Sequence, residues 1–303
     1  MGQVVAEPPL RARATLPWLV RRLWVKRGRV ATHAVVWVWM AVALLPIVWG
    51  ISSSFKGRAE LYKTMPSLIP QQPILENYAF ALGQMGNVPR YFRNSALVSA
   101  DTVVLVVLLA SLAGYAFARM SFRGRDLIFY TLVLVMFVPR AGGLMAAYEL
   151  MHFLGLRNSL VGLILAFSGG LSVPIFIMRQ AFLSIPGELE DAALIDGANR
   201  WQLFWRVAAP MATGAMVVVA IFTFIDVWGE FIFTITMVDQ NELFTMAVGV
   251  AMHTVGGVTV QVGDVVSYGA NAAVYLIAAY PVMILFVLMQ KWFVRGLMEG
   301  LKF

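Results

Sequence analysis

The sequence predicts an all-α membrane protein with six transmembrane helices and with both termini on the cytoplasmic side. Hydrophobic residues make up 60% of the 303 residues, charged residues make up 13%, and the mean hydropathy is +0.77. A soluble globular domain has a more polar composition. Apolar runs of about 20 residues, each long enough to cross a bilayer core of about 30 Å, recur along the chain. Lysine and arginine are concentrated in alternate loops, which is the pattern that orients membrane proteins.

The composition also excludes several kinds of function. The chain has no cysteine, which rules out disulfides, cysteine–zinc sites and a thiol nucleophile. His33, His152 and His253 lack the spacing of metal ligands, so we expect no metal site. The net charge of +7 is attributed to basic segments that face anionic membrane lipid, and not to nucleic-acid binding.

The hydrophobic runs divide the chain into an N-terminal segment, 1–30, and one membrane domain, 31–303. The N-terminal segment is basic and is expected to be cytoplasmic, with an amphipathic surface helix at about 18–24. Polar loops are expected at 52–93 and 234–269. The six predicted spans lie at about 31–51, 94–117, 127–148, 159–178, 211–233 and 271–294.

The distribution of basic residues tests this layout. Sixteen lysines and arginines fall on the side of the N-terminus and six fall on the other side, with Arg140 inside a span. Cytoplasmic loops of membrane proteins carry the excess of lysine and arginine. The polar stretch 184–210, between the fourth and fifth spans, is therefore predicted to lie in the cytoplasm.

The 184–210 stretch is a polar segment between two long apolar runs, and it predicts two short helices. Pro186 suits the first helical position, because its missing N–H would have no partner there. Glu188, Glu190 and Asp191 are assigned to the first turn, where the positive end of the helix dipole favours carboxylates. Gly197 is expected to end this helix in the left-handed conformation.

The second short helix is predicted to begin after Asn199. Asn199 and Gln202 have the spacing of a capping box, in which each side chain accepts a hydrogen bond from the other residue's backbone. In the first helix, Leu189, Ala192 and Ala193 lie together and permit close approach by another surface. In the second helix, one face is expected to hold Trp201, Phe204, Trp205 and Ala208. On periodicity alone, an ordinary amphipathic loop would give the same pattern.

The residue identities resemble the cytoplasmic coupling motif of ABC-importer permeases. The pattern D-A-A-x-x-D-G-A at 191–198 is followed by Phe204 and Pro210, where the family's motif has E-A-A, glycine, an apolar residue and proline. Asp191 takes the place of the usual glutamate, which keeps the charge and shortens the side chain. In that family the two short helices dock into a groove of the ATP-hydrolysing subunit. The resemblance implies this docking role for Glu188, Glu190, Asp191, Ala192, Ala193, Asp196, Gly197, Phe204 and Pro210.

The resemblance covers residues 31–303 and is to carbohydrate-type ABC importer permeases, in particular to the smaller maltose-permease subunit. It implies the type I ABC-importer permease fold. Two segments depart from the family pattern: 145–148 (M-A-A-Y) lacks the proline of the usual I-P-L-Y, and the tail 300–303 (G-L-K-F) differs from the usual G-A-V-K-G. The further motifs are N-S-A-L-V-S at 94–99, A-G-Y-A-F-A-R at 113–119, L-G-L-R-N-S at 154–159, F-I-D-V-W-G-E-F-I-F at 224–233, T-M-A-V-G at 245–249 and Q-K-W-F-V-R-G-L at 290–297.

The function that the resemblance implies is ATP-driven, binding-protein-dependent import of a mono- or oligosaccharide by alternating access, in the cytoplasmic (inner) membrane of a bacterium or archaeon. The implied partners are a dimer of ABC ATPase subunits, a second homologous permease and an extracytoplasmic solute-binding protein. The sequence contains no G-x-x-x-x-G-K-[ST] phosphate loop. ATP and Mg²⁺ are therefore expected on the ATPase subunits, with no cofactor on this chain.

Ionisable residues inside the predicted spans are candidates for a solute path, because burying them in a membrane is costly. Arg140 lies in the third span and Asp226 and Glu230 lie in the fifth, with Trp228 and Asn271 as further polar members. One interpretation is that these residues line a translocation path. The other is that Arg140 pairs with Asp226 or Glu230 and fixes helix packing. The sequence leaves both interpretations open.

Two other functions also remain open at this point. The first is an importer permease for a non-sugar solute such as an amino acid, polyamine, phosphate or peptide. The second is a stand-alone secondary transporter, which would usually show broken helices in paired halves and buried acidic relays. An enzyme is not expected, because the sequence has neither an H-E-x-x-H nor a G-x-S-x-G motif.

Overall fold

The computed structural model describes residues 18–63, 67–83, 87–254 and 268–299, and all regular structure in these ranges is helical, as predicted. Turns of 3₁₀-helix occupy Arg140–Gly143 and Asn241–Leu243, and a π-helical turn occupies Phe204–Ala208. The α-helices are α1 (Trp18–Ser54), α2 (Arg58–Leu61), α3 (Glu76–Gly83), α4 (Val88–Arg119), α5 (Arg125–Val135), α6 (Leu144–Phe153), α7 (Leu160–Ser168), α8 (Ser172–Leu183), α9 (Gly187–Ile195), α10 (Arg200–Leu203), α11 (Ala209–Met211), α12 (Thr213–Trp228), α13 (Ile232–Met237), α14 (Met246–Thr254) and α15 (Tyr268–Glu299).

Three of the described helices are long and apolar enough to cross a membrane unaided. They are Thr32–Ser54, Val88–Arg119 and Tyr268–Lys291. Two further segments reach that length only as bent pairs: α7 with α8, bent by 50°, and Arg200–Met211 with α12, bent by 74°. The three long helices, the α7–α8 pair and α12 correspond to five of the six predicted spans, whereas Arg200–Met211 belongs to the polar stretch before the fifth span. The chain is a multi-pass helical membrane protein.

The remaining predicted span, 127–148, is not one continuous helix. It is divided into α5, of 11 residues, and α6, of 10 residues. Pro139 has no N–H to donate to a helix, and the glycines at 142–143 favour helix ends, so the chain leaves the α-helical path between Val135 and Leu144. The prediction of a single helix here is therefore wrong.

Two other boundaries differ from the sequence prediction. The surface helix expected at 18–24 is the beginning of α1, which runs for 37 residues without a break. The loop expected at 234–269 contains α14, whose Met246 N–H donates to Ser95 Oγ at 2.7 Å and so fixes this helix on α4. Residues 1–17 and the tail 300–303 lie outside the described ranges.

Helix α4 is the central element of the bundle and contacts α7, α8, α12 and α14. Its 32 residues make it about 48 Å long, enough to cross a membrane completely. Near its C-terminal end, Val106 and Ala110 of α4 belong to a buried cluster with residues of α8 and of the turn after α10. Near its N-terminal end, Val88 and Tyr91 pack with α3, α14 and α15. The two ends of α4 therefore carry two different assemblies.

The assembly at the N-terminal end of α4 is a folded cap formed by residues 52–63 and 67–83, where the sequence predicted only a polar loop. Lys56 is 1% exposed, lies 4.6 Å from the centre of the Trp49 ring and donates to the Ser67 carbonyl. The Asn77 amide donates to the carbonyls of Ser54 and Lys56, both at 2.9 Å. Buried polar groups with such partners hold a segment in one conformation. The cap is thus an ordered part of the fold.

Candidate functional site

The 184–210 stretch lies at the C-terminal end of α4, opposite the cap, and forms two short helices as predicted. The first, α9, begins at Gly187, because Pro186 takes the N-cap position with φ −57° and ψ 130°. The expected first helical position of Pro186 is therefore wrong by one residue. The same shift leaves Glu188 and Glu190 in the first turn and moves Asp191 beyond it.

Gly197 ends α9 in the left-handed conformation, as predicted, with φ +83°. The Ala198 N–H donates to the Ala193 carbonyl at 2.9 Å and the Gly197 N–H donates to the Leu194 carbonyl at 3.0 Å. These two bonds are the Schellman motif, which satisfies carbonyls that a helix end leaves without partners. The turn after α9 is therefore specified by its own backbone.

The predicted capping box starts the second helix. Gln202 N–H donates to Asn199 Oδ1 and Asn199 N–H donates to Gln202 Oε1, both at 2.9 Å. The single apolar face expected beyond it is wrong. Phe204 and Ala208 are buried, but Trp201 and Trp205 are 65% and 53% exposed. The π-helical turn Phe204–Ala208 explains part of this, because its wider i→i+5 spacing turns Trp205 away from Ala208. Trp201 precedes that turn and is exposed on α10.

Phe204 anchors the second helix to the bundle through an aromatic cluster. Its ring lies 5.3 Å from the Tyr115 ring of α4 and 6.1 Å from the Phe182 ring of α8, and those two rings lie 5.4 Å apart. Such distances are typical of favourable edge-to-face contacts. Pro210 lies in α11, exposed, two residues before the sharp bend into α12.

Arg119, the last residue of α4, anchors the first helix. Its Nη2 donates to the Ile185 carbonyl, and its Nε lies 3.0 Å from Glu190 Oε1. This second contact is an ion pair whose angle lies outside the range of a directed hydrogen bond. Both side chains are mostly buried, at 20% and 13% exposed.

The outward side of α9 remains open. Leu189, Leu194 and Ile195 are 43%, 51% and 87% exposed, and Ala192 is exposed beside them. An open hollow of about 340 Å³ separates the two short helices and is lined in part by Ala193, Asp196, Gly197 and Ala198. Exposed apolar side chains beside a small-residue hollow are suited to receiving another protein surface.

The predicted path residues are distributed over three parts of the bundle. Trp228 is buried, donates through Nε1 to the Ala278 carbonyl at 2.9 Å and stacks on Phe224 at 5.4 Å. Glu230 lies in the break between α12 and α13, where its Oε1 accepts from the Phe233 N–H at 2.9 Å. These contacts give both residues a packing or capping role, whereas their lining of a path stays a prediction.

The other three path residues lie on separate elements. Asp226 is exposed on α12, and Asn271 is partly buried in the first turn of α15. Arg140 begins the 3₁₀ turn before α6, but its side chain lies outside the described residues. Its predicted pairing with Asp226 or Glu230 is therefore a prediction still.

Sequence reasoning missed Tyr115 and Arg119 as members of the site. Both lie in A-G-Y-A-F-A-R at 113–119, which indicated only family resemblance. The available signal was an aromatic residue and, four residues later, a cation at a helix C-terminus, which share one helical face. Their partners lie 66 or more residues further along the chain, so periodicity gave no way to pair them.

The fold and the site define a multi-pass helical membrane protein with an anchored pair of short helices projecting from one end of its bundle. The chain belongs to the family described as the binding-protein-dependent transport system inner membrane component, whose model matches residues 24–299. The members of this family are membrane components of transport systems and not enzymes.

Curated relatives agree with this family, and a solved structure shares the fold. The chain is 30% identical to the diacetylchitobiose uptake system permease protein NgcG of Streptomyces coelicolor, over 91% of this chain and 89% of that protein. It is 32% identical to the maltose/maltodextrin transport system permease protein MalG of Vibrio parahaemolyticus, over 89% and 94%. A chain of a bacterial ABC transporter involved in alginate import superposes with a TM-score of 0.80 at 21% identity, over 94% of this chain and 100% of that chain, which shows a shared fold.

Proposed function

We propose that this chain is the membrane-spanning permease subunit of an ATP-driven, binding-protein-dependent sugar importer, and that the 184–210 stretch docks on a separate ATPase. The observation that carries the proposal is the two-helix unit itself. It is fixed to α4 by Arg119 and Phe204, yet it leaves Leu189, Leu194 and Ile195 exposed. A segment that is attached to α4 on one side and exposes apolar residues on the other side is suited to transmit the movement of a bound partner to the bundle.

The charge distribution supports the proposed membrane orientation. If the chain spans the membrane six times with both termini in the cytoplasm, the 184–210 stretch lies on the cytoplasmic side, where ATP is available, and the cap lies outside. The proposal counts α5 and α6 together as the remaining span, so that the chain crosses a bacterial or archaeal cytoplasmic membrane six times. The cap then faces an extracytoplasmic solute-binding protein.

A sugar is the favoured cargo because the relatives named above are permeases for diacetylchitobiose and for maltose and maltodextrin. Arabinooligosaccharide and galactooligosaccharide permeases are also among the similar proteins. The mono- or oligosaccharide would pass between this chain and a second, homologous permease. Asp226, Trp228, Glu230, Asn271 and Arg140 are the proposed path residues on this side.

The mechanism is alternating access. ATP and Mg²⁺ bind on the partner ATPase dimer, and this chain binds no cofactor of its own. ATP binding shifts the equilibrium between inward- and outward-open bundles only to the extent that the partners bind the two states with different affinity. The 184–210 stretch supplies that difference, because it contacts the part of the ATPase that moves.

Purification in mild detergent tests the proposal. Tagged chain produced in its native host is expected to bring down an ATPase, a second permease and, on addition, a solute-binding protein. Ala193→Phe fills the hollow and is expected to lose the ATPase, whereas Ala79→Phe, on the exposed side of α3 in the cap, is expected to keep it. A stable wild-type chain with no ATPase would contradict the proposal and would favour a stand-alone transporter.

A further inference from the structure

Arg119 connects the first short helix to a membrane-crossing helix by charge. Helix α4 begins at Val88 beside the cap and ends at Arg119 beside α9. The Arg119 guanidinium contacts two successive parts of the 184–210 stretch. It donates to the carbonyl of Ile185, just before α9, and it pairs with Glu190 inside α9 at 3.0 Å.

Burial shows that α9 contacts the bundle on the side of this ion pair. Of residues 187–195, only Glu190 and Ala193 are not exposed. Arg119 Nε and Glu190 Oε1 are both shielded from solvent. Charges close together and away from water interact more strongly than charges on a surface. Removal of either partner alone would leave the other charge shielded from water and uncompensated, which is costly.

The aromatic cluster does not replace this contact. Phe204 belongs to the second short helix and packs on Tyr115 and Phe182. The Tyr115 hydroxyl also lies beside Glu190 of α9, but as a neutral group and not as a cation. The nearby cation Arg179 lies 4.1 Å from the Phe129 ring and donates to the Phe117 carbonyl at 3.4 Å, so it serves α4, α5 and α8. The first helix thus depends on Arg119 for its charged connection to α4.

We propose that Arg119 is a positioning residue that clamps α9 to α4 through Glu190 and the Ile185 carbonyl, so that a displacement of α9 moves α4. The inference rests on the proposed docking of an ATPase on the 184–210 stretch. An arginine suits the role because its planar fork can hold two acceptors at once, whereas a lysine is a single point charge. The clamp is expected to affect how hydrolysis is converted into transport more than it affects assembly.

The test compares Arg119→Gln and Glu190→Gln in the complete transporter, reconstituted in proteoliposomes. Three quantities are measured: the amount of ATPase that co-purifies, the rate of ATP hydrolysis and the solute imported per ATP. Arg119→Gln is expected to keep the ATPase bound, and both variants are expected to lower the import per ATP by about fivefold or more. The import per ATP of Arg119→Lys is expected to lie between the values of the two glutamine variants and the wild-type value. Arg125→Gln, which breaks the exposed ion pair with Asp126, is the matched control and is expected to leave the ratio unchanged.

A covalent replacement of the clamp separates force transmission from simple misfolding. The chain has no cysteine, so Arg119→Cys with Glu190→Cys can be joined by a short thiol-reactive linker without background. The unlinked pair is expected to show the low import ratio, and linking is expected to restore it. The inference would be overturned if both glutamine variants imported as much solute per ATP as the wild type, or if linking did not raise the import per ATP of the double cysteine variant. Absence of any ATPase from the wild-type preparation would instead overturn the proposed function.

Discussion

Gly114 of α4 and Met178 of α8 lie in direct backbone contact where these two helices cross. A Cβ added at Gly114 would lie 2.7 Å from Met178 Cβ and 2.9 Å from the Arg179 backbone nitrogen, both shorter than any normal contact. Helix α8 leads directly into the 184–210 stretch, and α4 ends on it. The crossing at Gly114 therefore sets the distance between the two helices that carry the site.

Replacement of Gly114 by alanine is expected to destabilise the bundle by about 1–3 kcal/mol, the usual cost of overpacking. The obstructing atoms include backbone, which cannot rotate away. Thermal unfolding in detergent measures the effect. Gly214→Ala in α12 is the control, since a Cβ there meets nothing within 4 Å. Equal melting temperatures for the two variants would contradict the close crossing.

Phe204→Ala is expected to lower the free energy of unfolding by about 3–5 kcal/mol, because it removes a buried ring and leaves a cavity between Tyr115 and Phe182. Trp205→Ala changes the next residue, which is 53% exposed, and is expected to be nearly neutral. Thermal unfolding and the rate of proteolysis within 184–210 check both. A larger loss for Trp205→Ala would mean that the π-helical turn directs the other face inward.

Gly197→Ala is expected to destabilise the end of α9 by about 1–2 kcal/mol, because a Cβ is strained at a φ of +83°. Gly187→Ala, at the start of the same helix, has open space and no left-handed φ, so it is the matched control. Hydrogen exchange of the amides at 194–199 measures the change. Equal protection in the two variants would remove the argument for a glycine-specific turn.

The cap should loosen in acid because of Glu60. The Ser67 hydroxyl, at 2.6 Å, and the Gln71 N–H, at 2.9 Å, donate to Glu60 Oε1, and these hydrogen bonds hold the pKa of Glu60 below its ordinary value of 4.5. A lowered folded-state pKa means that the stabilisation is complete above the unfolded-state pKa and is lost as the pH falls through the folded-state pKa. Exchange protection of residues 67–75, corrected for intrinsic rates and followed from about pH 7 to about pH 3, is expected to fall below pH 4.5.

Glu60→Gln keeps an acceptor oxygen and removes the charge, so it is expected to show lower protection at neutral pH and a flatter acid profile. Glu76→Gln, on the exposed start of α3, serves as the control and should follow the wild type. An unchanged acid profile in Glu60→Gln would show that another group governs the cap.

The sequence was sufficient to predict the structure where the determining interactions are local. The Asn199–Gln202 capping box and the left-handed Gly197 depend on residues three to five positions apart, and the structure confirms both. The long apolar runs of α1, α4 and α15 were equally clear, because length and composition alone define them. The family motif likewise depends on residue identities within one short segment.

The sequence was insufficient to predict the contacts between segments that are far apart in the chain. Arg119 and Glu190 are 71 positions apart in the sequence, and the residues around each of them do not indicate that the two side chains pair. Lys56 lies in a segment predicted only as a polar loop, yet it is buried through contacts with Trp49 and with the Ser67 carbonyl. Trp205 lies in a π-helical turn, which a search for 3.6-residue periodicity does not detect, and its exposure was therefore not predicted.

Cysteine cross-linking tests the central claim, that the 184–210 stretch is the ATPase-docking surface, most directly. The cysteine-free chain receives either Ala193→Cys, in the hollow between the short helices, or Gln72→Cys, in the cap at the other end of α4. A short thiol-to-amine reagent is applied to membranes, and the products are identified by mass spectrometry. We expect an ATPase to be captured from position 193 and not from position 72. Capture of the ATPase from position 72, or a complex that contains the ATPase but yields no product from position 193, would contradict it.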